Sequence, residues 1–120
     1  MTLSLGSKVP LTATTNPSIV SFAKATNALA GGIPVVITSP ASITSGNLLL
    51  AICTSGTQTW TPPSGWALAG TKASSGNSPQ ISVYTKTATG SEPGNYTFSA
   101  SGGASDALCI SILNILGPSR

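Results

Sequence analysis

No histidine occurs in the 120 residues. Two carboxylates, Glu92 and Asp106, stand against five cations, Lys8, Lys24, Lys72, Lys86 and Arg120. The absence of histidine removes the commonest general base and the commonest metal ligand. Glycoside hydrolysis needs two carboxylates facing one bond, so the two acids would have to be that pair. Glu92 sits in "GSEPG", a turn by composition, and Asp106 precedes the last apolar run, so both read as solvated loop acids. Serines are plentiful, but the S-x-x-K spacing of Ser21 and Lys24 falls in a β-like run, where residues three apart face opposite sides, so no base stands ready to activate a serine. No G-x-x-x-x-G-K-[ST] loop is present, and "GGIP" and "SGGAS" read as turns. A zinc site would have to be assembled from two cysteines, two acids and carbonyls. The sequence therefore points to a protein that is not an enzyme and holds no cofactor or metal.

Charge is scarce as well: 6% of residues, against ~25% in an ordinary soluble domain. The cations are scattered and not interleaved with aromatics, so a nucleic-acid footprint is missing. The calculated pI of 9.2 reflects the shortage of acids and not a basic patch. No apolar run approaches the ~20 residues of a membrane span. The opening "MTLSLGSKVPLTATT" lacks the basic and apolar regions of a secretory signal, so the sequon Asn95-Tyr96-Thr97 reads as chance. Cys53 and Cys109 each fall within an apolar run, with no histidine or cation near to activate a thiol. They read as small buried apolar residues; a disulfide between two strands is the alternative.

What fills the space is serine and threonine, 19 and 16 residues respectively, around a hydrophobic share of 40%. That share suits one domain folding on a single core without cross-links. Short β-like runs alternate with Gly, Pro, Ser and Asn clusters at intervals near ten residues, the rhythm of a sandwich or barrel. The expected runs are 18–26, 33–38, 47–54, 66–72, 80–87, 95–100 and 107–115, with an arm or weak strand over 5–14. Parity groups Ile81, Val83 and Thr85 on one face of their strand, and Leu108, Ile110 and Ile112 on one face of the last. "NLLLAIC" is apolar at both parities, which predicts a central strand covered on both sides. Only "SFAKATNALAGG" has fair helical spacing, and the β-branched residues before it favour a strand and loop.

The expectation is an all-β fold: an antiparallel two-sheet β-sandwich of about eight strands, jelly-roll or immunoglobulin-like. An extended N-terminal arm, 1–16, precedes the sandwich domain, 17–120. The densest segment is "TWTPPSGWALAG", which holds both tryptophans. Trp66 reads as a core residue. Trp60, before two prolines that favour extended geometry, reads as closing one end of the core. The alternative makes it an exposed recognition aromatic.

Taken in order, "SGNLLLAICTS", "TPPSGWALAG", "ISVYTKTATGSEPGNYTFS" and "ASDALCISILNI" resemble a β-sandwich domain recurrent in bacteriophage structural proteins. The resemblance runs from about Ser45 to Ile115. Asn47 stands where that pattern usually carries an acid after the strand-opening glycine. The resemblance implies a virion protein, synthesised in the host cytoplasm and placed on the capsid surface. A compact chain without shaft sequence fits a capsid decoration, or cement, protein that binds the major capsid protein, commonly as a homotrimer. On this reading the arm lies across the capsid or a neighbouring subunit, with Leu3, Leu5, Lys8, Val9 and Leu11 as candidate contacts. The alternative is a tail-associated or lectin-like domain that binds a host glycan through Trp60 or Tyr84. Neither reading involves nucleic acid, membrane or cofactor.

Overall fold

The computed structural model describes residues 16–27, 34–56, 58–73, 79–101 and 108–117. The arm to residue 15 with its five candidate contacts, the acid Asp106, and Arg120 lie outside them. The described residues form eight strands and no helix. These are β1 (Ser18–Asn27), β2 (Pro34–Thr38), β3 (Leu48–Ser55) and β4 (Thr59–Thr61), followed by β5 (Ala67–Ala73), β6 (Gln80–Thr87), β7 (Asn95–Ser101) and β8 (Leu108–Leu116). Runs such as "PVVIT" and "QISVYTKT" place β-branched and aromatic residues on a pleated surface, and Gly-, Pro- and Asn-bearing turns cut them.

All pairings are antiparallel, in two sheets ordered β1-β8-β3-β6-β5 and β2-β7-β4. The first strand pairs with the last, the second with the seventh and the third with the sixth. That nesting is the winding of a jelly roll, which decides between the two sandwich topologies expected from sequence. One departure is local: β5 adds to β6 at the edge of the larger sheet and does not pair with β4.

The core lies between the sheets. β3 contributes Leu49, Ala51 and Cys53, and β8 contributes Leu108, Ile110 and Ile112 from the larger sheet. Opposite them stand Val35 and Ile37 of β2 and Tyr96, Phe98 and Ala100 of β7. The strand β3 is central, as its two apolar faces predict. Its second face is not covered, however: Leu48 is exposed, and Leu50 and Ile52 are half-buried with no described residue layered over them. The small sheet covers one side of the large one and nothing among the described residues covers the other.

Candidate functional site

The aromatics of the loud segment lie inside. Trp60 forms the middle of β4 and is 4% exposed; Tyr84 on β6 is 5% exposed, and its hydroxyl donates to the Trp60 carbonyl at 3.2 Å. Neither presents a ring to solvent, so the glycan-binding alternative loses both of its candidate aromatics. The corner before Trp66 turns at Gly65, whose φ of 91° favours glycine. A Cβ there would meet the Lys86 Cε at 3.3 Å, so the glycine also makes room for that side chain. Trp66 then drops edge-on against Tyr96 and Phe98, at centroid distances of 5.2 and 5.4 Å.

Beside this corner, Glu92 is not the solvated loop acid that its turn composition suggests. Its side chain is 5% exposed and pairs with the Lys86 ammonium at 2.8 Å. It also accepts hydrogen bonds from the Thr89 amide, the Thr89 hydroxyl and the Tyr96 hydroxyl. Burial alone would raise this carboxyl. The hydrogen bonds from Lys86, Thr89 and Tyr96 outweigh it and bring the pKa down from 4.5 to about 2. Burial and the adjacent Glu92 raise the Tyr96 phenol. Every oxygen of the acid is thus spent on closing the 88–94 turn, which makes the cluster an architectural clasp.

A carboxyl depressed by folding stabilises the fold fully above its unfolded pKa, and that contribution is lost as pH falls through the folded value. Between about pH 5 and pH 2 the protein should therefore lose about 2–3 kcal/mol that Glu92→Gln never had. Urea titrations at several pH values, followed by the fluorescence of the buried tryptophans, measure the difference. Parallel acid profiles for the two proteins would contradict the clasp.

A second polar knot ties β1, β3 and β8 to the 39–46 loop. The Asn47 amide donates to the Asn114 Oδ1 at 2.9 Å, and both side chains are buried. The Asn114 amide donates in turn to Ser21 Oγ at 3.2 Å and to the carbonyls of Ala41 and Ser42 at 3.1 and 3.3 Å. The turn leading into it holds Ser42 at a φ of 60° and Gly46 at 92°. Asn47 therefore acts as a buried pin where the resembled pattern would place an acid. The sequence carried a signal for its partner: Asn114 falls on the parity of Leu108, Ile110 and Ile112, where a polar residue needs an explanation.

The two cysteines face opposite sides of the larger sheet. Cys53 pairs in register with Ile110 and is buried in the core, whereas Cys109 pairs with Thr54 on the outer side and is half-buried. Both are free thiols, as the bland reading of the sequence has it. Burial first, and then the nearby Cys109, push the Cys53 thiol up to about 12, which leaves it inert near neutrality. Among the described residues no three His, Cys, Asp or Glu side chains gather as metal ligands.

What remains is the outer side of the larger sheet. Across its strands, register brings Ile19, Ile115 and Leu48 into one row and Phe22, Leu113 and Leu50 into the next. A third row sets Ile52 beside Val83. Ile19 and Phe22 on β1 are 61% and 67% exposed. Among the described residues the only charges set into this side are Lys24 and Lys72, on the two edge strands. Together these rows leave on the order of 600 Å² of contiguous apolar surface bare, at the upper limit for an ordinary monomer. The outer side of the smaller sheet is its opposite, built from Thr38, Thr59, Thr61, Asn95, Thr97 and Ser99 with Pro34 and Val36 among them. One broad side of the molecule thus carries an apolar patch across β1, β8 and β3, bordered by Thr26, Ser111, Thr54, Thr85 and Thr87, and the other is hydroxyl-rich.

Comparison with known proteins finds no matching family model, no matching curated protein and no matching solved structure.

Proposed function

We propose that the chain is a non-enzymatic virion protein, a capsid decoration protein that lies on the major capsid protein through the outer side of its larger sheet. The observation that carries this reading is the two-sidedness just described. An apolar layer of this size suits a permanent partner, and a threonine-rich layer on the far side suits water. The resemblance of "SGNLLLAICTS" to "ASDALCISILNI" to bacteriophage structural domains supplies the kind of partner.

Magnitudes favour several copies acting together. Burying ~600 Å² yields at most about 15 kcal/mol of gross transfer free energy. Lost rigid-body freedom takes back ~4–15 kcal/mol of that on association. The surplus for one copy is small, and with few charges long-range attraction adds little. A homotrimer joining neighbouring capsid subunits gains a further ~10²–10⁴ in avidity, which makes decoration stable.

Purified protein added to capsids that lack it should bind at a fixed ratio per capsid subunit. The double substitution Leu50→Asp and Leu113→Asp should weaken this at least a hundredfold. Thr61→Asp with Thr97→Asp, on the opposite side, should leave it unchanged. Equal loss from both pairs, or no binding by the unaltered protein, would overturn the assignment.

A further inference from the structure

Two complementary features adjoin each other. One is the bare outer side of the larger sheet. The other is residues 1–15, outside the described residues, whose sequence places Met1, Leu3, Leu5, Val9, Leu11 and Ala13 on one parity, interrupted by Ser7 and ended by Thr15. Thr2, Ser4, Gly6, Lys8, Pro10 and Thr12 take the other. In extended geometry that alternation gives one apolar side and one polar side. The segment joins the fold at Asn16-Pro17, directly before β1, which is an edge strand of this same sheet. It does so at the end where Ile19, Ile115 and Leu48 stand in a row.

From these we infer that in the free protein residues 1–15 lie along the outer side of their own larger sheet, Leu3, Leu5, Val9 and Leu11 against the Phe22–Leu113–Leu50 region. Asn-Pro is a dipeptide that starts chain reversals, as the path back over the sheet requires. Length suffices: the six-residue rise from the Ile115 row to the Cys109 row is ~20 Å. Fifteen extended residues reach ~50 Å. Pro10 has no amide to give a strand ladder, but a segment lying on a face needs none. Tethering sets an effective concentration in the millimolar range, so the chain's own segment outcompetes that of another copy. With the proposed capsid role, on which this last step rests, docking exchanges one cover for another. The sheet passes to the capsid, and the arm is released to lie across the capsid or a neighbouring subunit.

The bond Lys8–Val9 is the one trypsin site within the segment, and it reports the cover without any capsid. In the full chain its cleavage, read by mass spectrometry, should be at least tenfold slower than in a synthetic peptide of residues 1–15. The ratio should not change on dilution. Phe22→Thr, Leu50→Thr and Leu113→Thr together should restore the peptide rate while the tryptophan emission stays that of the folded sandwich. Should that variant fail to fold, Leu3→Ser, Leu5→Ser and Leu11→Ser, which leave the sheet intact, should restore the rate in its place. Cleavage of the unaltered chain at the peptide rate would overturn the inference. Protection that disappears on dilution, the mark of another copy on the sheet, would overturn it equally, as would protection that survives the substitutions. None of these outcomes depends on whether capsids are bound, so the inference and the proposed function fail separately.

Discussion

Trp66→Ala will cost about 3–5 kcal/mol of folding stability, a sizeable share of the ~5–15 kcal/mol of a small domain. The indole lies where the "PPSG" corner meets the core and stands edge-on to both Tyr96 and Phe98. Its loss removes two aromatic contacts at once and opens a cavity between the sheets. The same ring supports the corner above it, where Lys86 packs over Gly65 before reaching Glu92. Collapse of the cavity would therefore disturb the clasp as well. The indole nitrogen is buried with no hydrogen-bond partner among the described residues. Trp66→Phe thus sacrifices volume but no hydrogen bond and should cost less than half as much. Urea unfolding of the two variants measures both values; equal losses would mean that ring volume is not what holds the corner.

That role for Trp66 was legible because its parity and the preceding glycine marked the start of a strand. Seven of the strands were legible for the same reason, each being a run of five or more residues with clear punctuation. β4 was not, since "TWT" is too short to carry a period and exists through its pairing with β7. Parity grouped the side chains of β6 and β8 correctly but did not say which group faced the core, and in β5 a bulge between Leu68 and Gly70 breaks the alternation. In β6 the buried group is Ser82 and Tyr84, while the more apolar Ile81 and Val83 face outward. The reason is that both sides of the larger sheet are apolar, so hydrophobicity no longer labels the inside. The same ambiguity made β3 read as covered twice, when only one cover is present among the described residues. Glu92 was misread because a turn sequence does not reveal that Lys86, six residues earlier, closes over it.

Asn114→Ala will be the most damaging substitution of a polar side chain, at about 2–4 kcal/mol, although it removes only a small amide. Deleting one partner of a buried network leaves the others without theirs, and each buried group then bears its full desolvation cost. Here the groups that lose a partner are the Asn47 amide and the Ser42 carbonyl, while the Ala41 carbonyl keeps the Ser21 hydroxyl as a donor. These groups hold the 39–46 loop against β1 and β8, so the loss extends beyond the site itself. Pairing Asn114→Leu with Asn47→Leu separates the causes. If stranded partners set the cost, the double variant will be more stable than the sum of the single losses predicts, by ~1 kcal/mol or more. The Ser42 carbonyl loses the Asn114 donor in either case, so recovery will be partial. Strict additivity in urea unfolding would show that the two asparagines act independently, and that the loop is held by backbone hydrogen bonds alone.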